Sequence, residues 1–201
     1  MKRNTFVRAV VVRNQSQKGN PSFRPLSRYL QYLQTGSRLE QNDSDRARGI
    51  WYGNDERASL TQYDYETVRE WAKRHSQQQA YTYQLLLSTR DGQLSPDDFQ
   101  QSMLVANRSW DIGSWRFIVH EDTAHQHAHA LFFSDRQLPK TLYLEGQQAL
   151  HESLAQAVKR QQQEAEIEVT RQREAQEQHL QQAQQVAQRA RQLSRSRGLD
   201  L

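Results

Sequence analysis

Four of the seven histidines of this 201-residue chain, His120, His125, His127 and His129, fall within ten residues. His127 and His129 are two apart in His127-Ala128-His129-Ala130-Leu131-Phe132-Phe133-Ser134, which reads as a strand. Alternation along a strand puts both imidazoles on one face and turns Ala128 and Ala130 to the other. His120 ends the preceding apolar run, Trp115 to His120, and can return across a hairpin to the same point. Three neutral imidazoles from two adjacent strands make an open site for a divalent metal, with positions left for water or phosphate oxygens. Such an ion stabilises charge developing on a phosphodiester. Asp122 and His125, in the connecting segment, are candidates to orient the imidazoles.

Rival chemistries fail on specific positions. A zinc-protease HExxH begun at His120-Glu121 needs a histidine at 124, which is Ala124. His151-Glu152 fails in the same way at Ala155. A cupin-like site needs a glutamate shortly after the His-x-His pair, and none follows in strand spacing. The absence of cysteine removes disulfides, thiolate zinc sites and thiol nucleophiles.

The elements that must carry these groups can be read coarsely. Thr5 to Arg13 is β-branched and reads as a buried strand. A polar loop follows from Gln15 to Pro25. Tyr29, Leu30 and Leu33 then fall at helical spacing over Ser27 to Gln34, with Ser27 as N-cap and Gly36 as terminator. Gln41 to Arg48 is polar and reads as loop. Leu60 to His75 predicts a helix capped by Thr61, with Tyr65, Val68, Trp71 and Ala72 as its apolar stripe. Ala80 to Thr89 is a second strand. Ser95-Pro96-Asp97-Asp98 starts a helix that runs to about Arg108. Trp115–His120 and His127–Ser134 complete four strand candidates. The expectation is an α/β domain of the α+β type over 1–144, with a mainly antiparallel central sheet flanked by helices.

From about Glu145 the chain is rich in Gln, Glu, Arg and Ala, with high helix propensity. One apolar stripe runs through Leu150, Leu154, Ala157 and Val158, a second through Leu180, Ala183, Ala187 and Ala190. The expectation for 145–201 is a long exposed helix, a poor coiled coil or a partly disordered tail. A net charge of +4 and a pI near 9.5 favour a polyanionic partner. No apolar run approaches the ~18–20 residues that span a membrane, so membrane insertion is not expected.

The fuller pattern His-x-Asp-Thr-x-His-x-His-x-His after a strand resembles motif III of conjugative relaxases. These are mobilisation endonucleases of the HUH (histidine–hydrophobic–histidine) class. The likeness extends through Tyr83-Gln84-Leu85-Leu86-Leu87-Ser88, Gly92, Leu94-Ser95-Pro96-Asp97-Asp98-Phe99 and Trp115-Arg116-Phe117-Ile118-Val119. It covers Thr82 to Ser134 well and the N-terminal part loosely. The resemblance implies His120, His127 and His129 as ligands of Mg²⁺ or Mn²⁺, and Asp122 as an orienting group. It implies a tyrosine nucleophile in a Leu-x-Tyr-Leu context, matched by Leu30-Gln31-Tyr32-Leu33, so Tyr32 is the first choice and Tyr29 the second. Where the family often carries an arginine after this pair, this chain has Gln34 and Thr35.

By the same resemblance the activity would be strand-specific nicking of mobile-element DNA through a 5′-phosphotyrosyl intermediate. The partners would be single-stranded DNA at an origin of transfer, accessory relaxosome proteins and a type IV coupling protein. The compartment would be the cytoplasm, with escort of the strand to a recipient cell. Ser88, Arg28 and Arg38 are candidate DNA contacts, with Arg24, Arg46 and Arg48 nearby. Trp51 and Tyr52 are aromatic groups suited to base stacking or, more naturally, to core packing. Two other readings stand beside this one. His125-Gln126-His127-Ala128-His129-Ala130-Leu131 resembles the histidine-triad motif of nucleotide hydrolases and transferases, in which His127 would be the nucleophile. A non-catalytic DNA-binding relative of the relaxases is the other.

Overall fold

In the computed structural model the residues described are 5–14, 23–36, 49–54, 60–90, 92–120 and 125–197, with side chains to 187. The elements in chain order are β1 (Thr5–Arg13), α1 (Arg24–Thr35), β2 (Trp51–Asn54), β3 (Thr61–Tyr63), α2 (Tyr65–Gln78), β4 (Tyr81–Thr89), α3 (Pro96–Trp110), β5 (Trp115–His120), β6 (His127–Ser134) and α4 (Lys140–Arg197). The six strands form one sheet in the order β1-β4-β6-β5-β2-β3. Every pairing is antiparallel. This is the expected α+β class with a long C-terminal helix.

Strand alternation divides the core between the two faces of the sheet. On one face Tyr83, Leu85 and Leu87 of β4, Trp115, Phe117 and Val119 of β5, and Ala128, Ala130 and Phe132 of β6 meet α3 and the start of α4. On the other, Ile118, Leu131, Phe133 and Trp51 are covered by Leu26, Leu30 and Leu33 of α1 and by Val68, Trp71 and Ala72 of α2. The histidines belong to this second face. Their strands are pinned from behind by side chains that are almost wholly buried, so the face cannot slip by one residue without exposing that core.

Three local expectations are corrected. Thr61 does not cap a helix: Thr61–Tyr63 pairs with β2, and Asp64 caps α2 by accepting from the Thr67 amide at 2.7 Å. Strands β2 and β3 went unpredicted because three or four residues show no usable periodicity; β2 pairs with the distant β5, and β3 pairs with β2. Helix α1 starts at Arg24 rather than Ser27, with Pro25 in its first turn, where a missing amide costs nothing. Ser95 caps α3 as expected, in a reciprocal box with Asp98.

The chain divides into two compact units, Met1–Lys159 and Arg160–Leu201. The first therefore extends past the composition change at 145, because Leu150, Leu154, Ala157 and Val158 are core residues. In the second, α4 is exposed from residue 162 to 187. Surface pairs such as Arg173–Glu177 at 3.4 Å support it locally. No helix among the described residues is long and apolar enough to cross a membrane.

Gly146 marks a close approach. A Cβ there would collide with the indole of Trp110, whose Nε1–H donates to the Tyr143 carbonyl at 3.1 Å. Trp110 is itself buried and stacked on Phe132. Gly146→Leu is expected to destabilise the protein by about 1–3 kcal/mol despite its better helix propensity, because overpacking outweighs the propensity gain. Urea denaturation measures this; an unchanged or raised midpoint would contradict it.

Candidate metal centre

Antiparallel pairing of β5 with β6 sets His120 directly opposite His127, and Ile118 opposite His129. The three imidazoles converge. Ring centroids are 5.1 Å apart for His120–His127 and 5.3 Å for both His120–His129 and His127–His129. One nitrogen from each ring lies within 4.8 Å of the others, so the group could hold a metal ion. His120 is 1% exposed; His127 and His129 are half-buried. The site thus has a closed floor and an open side.

Hydrogen bonds to carbonyls dictate the tautomers, since a carbonyl only accepts. His120 Nε2 lies 2.9 Å from the Leu33 carbonyl oxygen, so Nε2 carries the proton and the Nδ1 lone pair is the one suited to a metal. His127 Nδ1 lies 3.2 Å from the His125 carbonyl oxygen, which leaves Nε2 of that ring as the ligating nitrogen. His129 Nδ1 meets the Tyr29 hydroxyl at 3.3 Å. Each ring is therefore held by a partner on one nitrogen, as orientation of metal-binding imidazoles requires. The donor set fits a metal ion.

Helix α1 supplies two of the three partners. Its Leu26, Leu30 and Leu33 stripe lies on the sheet, which brings Tyr29 over His129 and Leu33 over His120. The Leu33 carbonyl belongs to the last turn, where helical carbonyls lack intrahelical donors. Gly36, at φ 80°, ends the helix by donating its amide to the Tyr32 carbonyl at 2.8 Å. The negative end of the helix dipole thus faces the site and favours a cation there.

Of the two candidate nucleophiles, Tyr29 touches a histidine and Tyr32 stands one turn later, 48% exposed. Burial pushes the Tyr29 phenol up to about 12, with the neighbouring Tyr32 adding to the shift. Ser88 lies opposite His127 in the β4–β6 register, on the histidine face. Arg28 is exposed on α1. Asp122 and Arg38, with Arg46 and Arg48, lie outside the described residues. Trp51 is 1% exposed, so base stacking is closed to it; its use is core packing and a hydrogen bond to Gln34. Tyr52 stacks on Phe117.

Sequence reasoning anticipated the three histidines but missed the supporting carbonyls of Leu33 and His125. A backbone carbonyl has no residue type to recognise. Only Gly36, which follows Leu33 as a helix terminator, hints that orphan carbonyls lie nearby. No protein-family model matches the chain, and no curated protein matches it.

Proposed function

We propose that this protein is a relaxase-like, metal-dependent enzyme that nicks single-stranded DNA by tyrosine transesterification. The observation that carries the reading is a tyrosine-bearing helix docked onto a three-histidine group, with Tyr29 bonded to His129 and Leu33 to His120. Tyr32 is the nucleophile in this reading, because an exposed phenol can meet a DNA phosphate. Half-buried Tyr29 orients His129. The Tyr32 oxygen attacks phosphorus, a P–O(Tyr) bond forms and the P–O3′ bond breaks. The phenolic proton passes through solvent to the departing 3′ oxygen, and the 5′ end stays on the protein. A bound divalent ion would polarise the phosphate and stabilise its developing charge. An all-nitrogen donor set suits a first-row transition ion better than oxygen-seeking Mg²⁺, so Mn²⁺ is the better of the two expected ions.

The sheet supports a single-stranded partner. Beside the histidines, Leu86 of β4 pairs with both His129 of β6 and Arg8 of β1. On that same face β1 presents Phe6, Val10 and Val12, with Phe6 52% exposed. None of β1, β4, β5, β6 or α1 contains an acidic residue. An exposed aromatic among cations suits unpaired bases and their phosphates. Phe6→Ala is expected to weaken single-stranded DNA binding by about 1–3 kcal/mol. Arg8→Ala should lower the slope of log affinity against log salt by about 0.7. Fluorescence anisotropy across a salt series tests both; unchanged binding in the two variants would remove this face from the DNA path.

The deciding experiment is adduct formation. Protein is incubated with single-stranded DNA from a transfer origin and Mn²⁺, then resolved under denaturing conditions. A covalent adduct that disappears in Tyr32→Phe supports the reading. No adduct, with nucleotide hydrolysis that is lost in His127→Ala, would instead select histidine-triad chemistry. Salt-sensitive DNA binding without either reaction would select a non-catalytic binding protein.

A further inference from the structure

The last turn of α1 is held at a second point next to the metal centre. Trp51 Nε1–H donates to Gln34 Oε1 at 2.7 Å. An indole N–H only donates, so the oxygen of the Gln34 amide must face it. Trp51 is a rigid anchor: it is 1% exposed, pairs with Ile118 of β5, and lies among Leu30, Leu33 and Ile118. His120 stands two residues beyond Ile118 on the same strand. Gln34 directly follows Leu33, whose carbonyl meets His120 Nε2 at 2.9 Å. The peptide unit between Leu33 and Gln34 is therefore clamped from both sides, by β2 through a side chain and by β5 through the imidazole.

We propose that Gln34 is a positioning residue for the metal centre: its bond with Trp51 aims the Leu33 carbonyl at His120 and so sets that ring's tautomer and angle for coordination. The inference rests on the metal-binding half of the reading above and not on DNA cleavage. A helix end frays readily, because its last carbonyls lack intrahelical partners. The Gln34–Trp51 bond stops the last turn from rotating. Without it the carbonyl moves off Nε2, the proton of His120 can shift to Nδ1, and the lone pair turns away from His127 and His129. Loss of a hydrogen bond that supports a ligand costs roughly 10–100-fold in metal affinity. Gln34 acts one step removed, so the lower end, about tenfold, is expected.

The test titrates the full chain with Co²⁺, reading visible absorption, and records melting of the metal-free protein in parallel. Gln34→Met keeps the side-chain length and removes the carbonyl. Trp51→Phe keeps an aromatic anchor and removes the donor. Each should weaken Co²⁺ binding about tenfold and alter the absorption band, with a small fall in metal-free melting because either change leaves one partner of the Gln34–Trp51 bond unpaired. Gln34→Glu, which retains an acceptor, should restore most of the affinity. The double variant should lose no more than either single one, because both break the same bond. Unchanged affinity in Gln34→Met would overturn the proposal, as would losses that add in the double variant or an absorption band that stays as in the wild type. A wild-type chain that takes up no Co²⁺ would overturn the metal centre itself. Tight Co²⁺ binding without a DNA adduct would sink only the nicking activity.

Discussion

Replacing His127 by alanine is expected to abolish metal uptake while leaving folding stability nearly intact, whereas His120→Ala loses both. The difference lies in burial and partners. His127 is half-buried at the open side, and its support is a carbonyl two residues away. His120 is 1% exposed, and its ring fills the contact between β5 and the end of α1. Truncating it strips the donor from a buried carbonyl, which costs about 1–3 kcal/mol. The metal effect should be larger for either variant than the roughly 10–100-fold expected from losing a supporting hydrogen bond, because a ligand itself is gone. Linkage offers a direct measurement. A metal at 100 times its Kd stabilises the folded state by about 2.7 kcal/mol. In a chain of this length that is on the order of 5–10 °C in melting temperature. Wild-type protein should show this rise with added Mn²⁺ or Co²⁺ and lose it with chelator. A rise of equal size in the alanine variants of all three histidines would place the metal elsewhere.

Tyr32→Phe is expected to remove the covalent DNA adduct, on the order of 10⁴-fold or more in rate, with metal affinity unchanged. Tyr29→Phe is expected to do the reverse: weaker metal binding, by roughly tenfold, with an adduct still formed at saturating metal. The division of labour follows from position on one helix. The Tyr29 hydroxyl is engaged with His129, and its phenol is pushed up to about 12 by burial, the opposite of what activates a nucleophile. Tyr32 is 48% exposed and directly precedes Leu33, the residue whose carbonyl holds His120. In the proposed reaction it is the phenol open to a bound strand. Rate and metal affinity measured separately for both variants distinguish the roles. An adduct that survives in Tyr32→Phe but vanishes in Tyr29→Phe would exchange them.

How far the sequence reached depended on how local each feature is. β1, β4, β5 and β6 are long enough for alternation to show, and all four were placed within a residue or two. β2 and β3 span four and three residues, too few for alternation to show, and β2 is completed by β5, distant in the chain. Helix α3 announced itself through Ser95, Pro96 and Asp98, all within one turn. The start of α2 was misplaced because Thr61 and Asp64 are both plausible caps, and pairing with β2 takes Thr61 into a strand.

The histidines themselves show the same boundary. The sequence by itself determined that His127 and His129 share a face, because two residues complete one period of a strand. It also determined that His120 ends a strand leading into the next. Tertiary structure decided the rest. The β5–β6 register, held by the apolar residues between the histidines, sets His120 against His127. Packing of the leucine stripe of α1 decided that Tyr29 reaches His129 and that the Leu33 carbonyl meets His120. Of those partners, the Leu33 carbonyl chooses the protonated nitrogen of His120. They come from a helix about 90 residues earlier and, for His120, from backbone common to every residue, which no pattern of side chains can encode.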